Sequence, residues 1–150
     1  MITRTLTLLF LFFFLSSHII TTQQEQNIWR TLSTVQLEKQ YDEMIGMELI
    51  TPNFGPKIRA LEGKEVIVKG YIIPSSGKVS QEHFMFSSLP YSMCFFCGKA
   101  GPESAMEVFT KKGANIKYSE EAVLLRGTLR LLDGGLSGLI YSLDDAEVVD

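Results

Sequence analysis

The clearest signal in the chain is a two-residue alternation of apolar and polar side chains that begins at Gly63. Lys64, Val66, Val68, Gly70 and Ile72 would share one face of an extended strand, and Glu65, Ile67, Lys69, Tyr71 and Ile73 the other. Successive side chains of a strand point to opposite faces, so this alternation predicts a strand with one side in a core. Pro74 stops the run, and Ser75-Ser76-Gly77 makes a turn. The same rule predicts strands over residues 83–88, with Phe84 and Phe86 together, and over 105–110, with Met106, Val108 and Thr110 opposed to Glu107 and Phe109. A longer one covers residues 121–132, where Val123, Leu125, Gly127, Leu129 and Leu131 oppose Arg126, Thr128 and Arg130. Asp133-Gly134-Gly135 is a hairpin signal, and residues 139–143 and 146–149 supply the closing strands. Upstream, Val35, Leu37 and Tyr41 alternate as a strand would, although the Gln, Glu and Lys residues around them also suit a helix. Pro52, Gly55 and Pro56 mark irregular chain, and Trp29 and Leu32 are expected to tuck against the domain from a polar leading segment.

Two of these strands carry a basic residue followed by glycine at mid-length, Lys69-Gly70 and Arg126-Gly127. Glycine weakens a strand unless the backbone there must bend or bulge. Small closed barrels require such bends. About five strands with few helical signals therefore predict a mainly β chain. The expected architecture is a small OB-like five-stranded barrel over residues 56–150, preceded by an N-terminal extension over residues 23–55.

The first 22 residues have a different character. Arg4 is followed by a short, almost wholly apolar run from Leu6 to Leu15, and then by Ser16, Ser17, Thr21 and Thr22. A charged start, a short apolar centre and a polar end make a secretory signal peptide. A retained anchor would need about 20 apolar residues, and Ser16, Ser17 and His18 interrupt the run. Cleavage is expected after Thr22, with Ser17 as the other plausible point, and no membrane-spanning helix is expected in the mature chain. Removal takes away one cation and no acid. The protein is thus read as exported, to the periplasm or beyond.

Composition narrows the function. The 150 residues fit one domain. With 45% hydrophobic and 21% charged residues and a formal net charge of −3, the chain is globular and is not a strongly basic nucleic-acid binder. OB barrels often bind single strands through aromatics and a basic groove. Here only Lys69, Arg126 and Arg130, with Tyr71, form a modest cluster, for which a solvated strand face is the better account. There is no Gly-rich phosphate loop and no H-E-x-x-H motif. A Ser-His-Asp set has little to draw on, because His83 is the one histidine expected in the mature chain.

The chemistry concentrates in one loop. Both cysteines of the chain, Cys94 and Cys97, stand in a C-x-x-C motif. One reading is a metal site, zinc or copper, with Cys94 and Cys97 joined by His83 and with Glu103 or water as a fourth ligand. A second is a disulfide between the same two residues, suited to an oxidising compartment. A third is redox catalysis, which Gly98, Gly101 and Pro102 disfavour because they discourage the helix start that activates such thiols. Phe95 and Phe96 lie between the thiols, with Tyr91 and Met93 just before. At least one phenylalanine is expected to pack and anchor the loop, while Tyr91, Phe95 and Phe96 are the candidates for docking a partner.

Three segments carry a resemblance. L-E-G-K-E-V-I-V-K-G-Y-I-I-P at residues 61–74, P-Y-S-M-C-F-F-C-G-K-A-G-P-E at 90–103 and Y-S-L-D-D-A-E-V at 141–148 resemble uncharacterised exported bacterial proteins of the Bacteroidota type that contain an OB-like domain. The resemblance implies the fold and export and assigns no activity. The expectation is an exported, non-enzymatic OB-like module whose loop at residues 91–103 binds a protein or small ligand of the cell envelope. A thiol–disulfide oxidoreductase is the alternative from a different class.

Overall fold

The computed structural model of the chain describes residues 28–74 and 80–149. The expected signal peptide and the turn at Ser75-Ser76-Gly77 lie outside the described residues. In chain order the elements are α1 (Ile28–Leu32), β1 (Gln36–Asp42), β2 (Met47–Asn53), α2 (Pro56–Arg59), β3 (Glu65–Ile73), β4 (Ser80–Gln81), β5 (His83–Ser87), β6 (Ala105–Thr110), β7 (Ile116–Lys117), β8 (Val123–Gly134) and β9 (Leu139–Val149). Three 3-10 turns, Tyr91–Met93, Phe95–Cys97 and Pro102–Ser104, lie between β5 and β6.

Five strands close a barrel in the order β3-β5-β6-β9-β8. All neighbours are antiparallel except β6 and β9, which run parallel. The chain thus lays down three consecutive antiparallel strands, crosses to place β8 beside β3, and fills the remaining gap with β9. This is the expected OB-like, mainly β architecture. Short β4 and β7 pair with each other outside the barrel, as do β1 and β2.

The mid-strand glycines sit where the barrel turns. Up to Gly70, β3 pairs with β8, and from Tyr71 it pairs with β5. A Cβ on Gly70 would stand 2.5 Å from the Ser87 carbonyl oxygen and 2.8 Å from the Phe86 ring, so only glycine lets the strands approach. At Gly127 the β8–β9 register slips by one residue between Arg126 and Thr128, a bulge across from Asp145, whose φ is 52°. The bulge also explains why β9 is one continuous strand where the sequence suggests two short ones. The bend at the two aspartates is absorbed without ending the ladder.

The inward faces match the alternation. Val66, Val68, Ile72, Phe84, Phe86, Met106, Val108, Leu125, Leu129 and Leu143 are all buried in one cluster. That cluster also takes Ile28 and Leu32 from α1 and Ile58 from α2. Tyr141 donates its hydroxyl to the Leu32 carbonyl at 2.8 Å, and the Trp29 indole N–H donates to the Lys69 carbonyl at 2.8 Å. The first helical turn is therefore tied to β9 and β3 by hydrogen bonds as well as by burial. Strand β2 includes Pro52, where the sequence suggests irregular chain. Pro52 is the penultimate residue of the strand, and a missing N–H costs little at a strand end. Among the described residues, no helix is long and apolar enough to cross a membrane.

Candidate functional site

The loop that carries both cysteines is an excursion of residues 88–104 between β5 and β6. Its neck is closed by the pairing of Ser87 with Ala105 and by a hydrogen bond from the Ser88 N–H to the Ser104 carbonyl at 2.9 Å. Ser87 is buried, and its hydroxyl accepts the Leu89 N–H at 3.1 Å, which satisfies a polar group that burial would otherwise penalise.

Within the loop the sequence enforces two successive tight turns. The Met93 N–H donates to the Pro90 carbonyl at 2.9 Å. Cys94 is extended (φ −78°, ψ 171°), which ends the first turn and starts the second. The second closes with Gly98 in the left-handed region (φ 70°, ψ 17°), a conformation that glycine adopts without penalty. This geometry turns the Cys94 side chain inward, where it is fully buried, and leaves Cys97 exposed. Both are free thiols with their sulfurs 4.0 Å apart, and the Cys97 thiol donates to the Tyr91 carbonyl at 2.9 Å. Desolvation pushes the Cys97 thiol above its ordinary titration range, the hydrogen bond and charge of Cys94 push it further, and Lys99 partly offsets them. A raised thiol holds less thiolate at neutral pH, which is the opposite of what a redox nucleophile needs.

The aromatic residues divide their roles. Phe95 is half-buried beside Gly138 in the β8–β9 turn and meets Phe96 edge-on, with centroids 5.2 Å apart. Tyr91 (57% exposed), Met93 (48%) and Phe96 (43%) remain open to solvent, as does Leu136 in the neighbouring turn. Exposed apolar side chains thus lead up to Cys97 in the loop, and Phe95 brings that loop beside the β8–β9 turn that carries Leu136. Leu136 carries no mark in the sequence; only the approach of Phe95 to Gly138 brings its turn beside the loop.

His83 lies elsewhere. It begins β5, whereas the loop leaves from the end of that strand, about 13 Å away at the usual strand rise. Its Nε2 pairs with the Glu107 carboxylate at 2.7 Å, and its ring stacks on Phe109 with centroids 4.6 Å apart. Glu103 folds back over Gly101 and raises the titration of Tyr141, whose burial is the larger cause. Among the described residues no three His, Cys, Asp or Glu side chains gather around one point. The structure therefore unites Cys94 and Cys97 and leaves His83 and Glu103 apart from them.

The basic cluster on the outer strand face is interleaved with acids. Arg126 stands 3.6 Å from Glu147, and Arg130 stands 3.3 Å from Asp144 and 3.9 Å from Glu62. Such a face offers little net positive field to a phosphate backbone. No family model, no curated protein and no solved structure matches the chain.

Proposed function

We propose that this chain is an exported, non-enzymatic OB-like binding module that docks a partner of the cell envelope through the loop at residues 88–104. One observation carries the reading. Cys94 is buried while Tyr91, Met93 and Phe96 beside it are exposed, so the loop is held from beneath and presents apolar side chains outward. Burying such aromatics at an interface supplies the anchor contacts on which most binding energy depends. The cysteine pair acts as the clamp of this loop, whether through a shared ion or through a bond between the sulfurs, and the segment 1–22 delivers the module out of the cytoplasm.

The test uses a photo-cross-linking residue placed at Phe96 in the living cell, with Lys112 as the control. Lys112 follows β6, at the end of the barrel away from the loop. A discrete adduct from position 96, absent from position 112 and lost in Tyr91→Ala, is the expected result. Adducts of equal yield from both positions, or none from position 96, overturn the reading.

A further inference from the structure

We infer that Cys94 and Cys97 form a two-sulfur site for a soft monovalent metal ion of the copper(I) class. The inference deepens the docking reading and rests on it for its purpose, though not for its chemistry. The two sulfurs already stand 4.0 Å apart on a loop whose backbone is fixed by the successive turns at Tyr91–Met93 and Phe95–Cys97. An ion about 2.3 Å from each sulfur, the usual metal–thiolate distance, would subtend an S–metal–S angle of about 120° with neither side chain displaced, the angle of a three-coordinate ion that takes one further donor from the loop or from solvent. Cys97 is exposed and Cys94 lies beneath it, so an ion enters from solvent past the outer sulfur and is held on the inner one.

The donor set decides the class. A closed zinc site takes four ligands, and open ones still take three from the protein. The loop brings two thiols to one point, and among the described residues no third His, Cys, Asp or Glu joins them. The Tyr91 carbonyl lies 2.9 Å from the Cys97 sulfur and offers a further oxygen donor. Soft thiolates favour soft ions, and copper(I) is satisfied by two or three donors where zinc is not. Binding converts two thiols and one copper(I) into a bis-thiolate complex and releases two protons to solvent. The ion would also complete the clamp under the aromatic patch, making presentation of Phe96 and Tyr91 depend on metal supply.

The experiment is an anaerobic titration of the reduced, metal-free exported protein with copper(I) in competition with a chromophoric chelator, and with zinc(II) in parallel. The expected result is one copper(I) per chain, bound at least 100-fold more tightly than zinc(II), retained in His83→Ala and lost in Cys97→Ser. Because Cys97 is exposed, that variant keeps the barrel intact, and amide exchange over β3 to β9 verifies it. Absence of copper(I) binding, equal zinc(II) binding, or unchanged copper(I) binding in Cys97→Ser each overturns the inference. If copper(I) fails to bind while the cross-link from position 96 persists, the metal site falls and the docking reading stands. If copper(I) binds and the cross-link is absent, the reverse holds.

Discussion

Single residues set how closely this barrel can be drawn. Gly70 and Gly127 do so by lacking a Cβ. At Gly70 the first obstacle is backbone, the Ser87 carbonyl, and at Gly127 it is the Asp144 carbonyl at 2.8 Å. Backbone in a ladder cannot swing aside as a side-chain tip can. Gly70→Ala or Gly127→Ala should each lower unfolding free energy by about 1–3 kcal/mol in urea denaturation. Gly55→Ala, where a Cβ meets nothing within 4 Å, should leave it unchanged. These two glycines were legible in the sequence because an isolated glycine in a strand pattern has to be explained by a bend. Tyr141 was not marked in that way. Its ring is fully buried and its hydroxyl holds the Leu32 carbonyl, a contact 109 residues apart that no local pattern announces. Its titration lies above the ordinary range through burial first and the Glu103 charge second. The folded state therefore keeps a proton that the unfolded chain releases near pH 10. Its contribution is complete below about pH 10 and declines as pH rises beyond that point. Tyr141→Phe should cost about 0.5–1.5 kcal/mol at neutral pH by removing one of the two hydrogen bonds to the Leu32 carbonyl, which keeps the Val35 N–H at 3.2 Å, and it should flatten the decline in stability expected in denaturation above about pH 10.

At the scale of elements, the loop between β5 and β6 shows what spacing conveys and what it withholds. Two cysteines three apart in a run with no regular structure are brought together by almost any tight turn, so their proximity was readable. His83 was not placeable in the same way. A five-residue strand separates its two ends by about 13 Å, and chain order puts the loop at the far end from His83; what the sequence leaves open is whether the loop folds back along the strand, and it does not. The alternating turns also make the two thiols unequal. In the reduced, metal-free protein, alkylation with iodoacetamide followed by mass spectrometry should mark Cys97 and spare Cys94, which is fully buried. Because the Cys97 thiol titrates above its usual range, its labelling should remain slow at pH 7 and accelerate only on the alkaline side of pH 8.5. Labelling of both residues at equal rates would show that the loop opens in solution more readily than its hydrogen bonds suggest.

For the molecule as a whole, the question is where the barrel ends. Composition divides the chain near residue 55, with strand alternation on one side and polar, proline-marked sequence on the other. Packing crosses that line. Ile28 and Leu32 of α1 lie in the same buried cluster as Val68, Phe86 and Leu129, and the Trp29 indole and the Leu32 carbonyl bond to β3 and β9. A five-residue helix with two buried positions has too little pattern to announce itself, which is why only its Trp29 and Leu32 were readable as contacts. Burying one such aliphatic side chain contributes about 1.5–3 kcal/mol, so the pair with its hydrogen bonds contributes a large part of the 5–15 kcal/mol typical of a small domain. A chain beginning at Gln36 should therefore expose the open end of the barrel and unfold cooperatively at least 15 °C below one beginning at Gln23, as measured by circular dichroism. Adding the peptide of residues 23–35 in trans should restore part of that difference in a concentration-dependent way, because a ligand that binds only the folded state stabilises it by mass action. If the shortened chain melts at the same temperature, α1 lies on the barrel without supporting it, and the β3–β9 strands would have to close their own end.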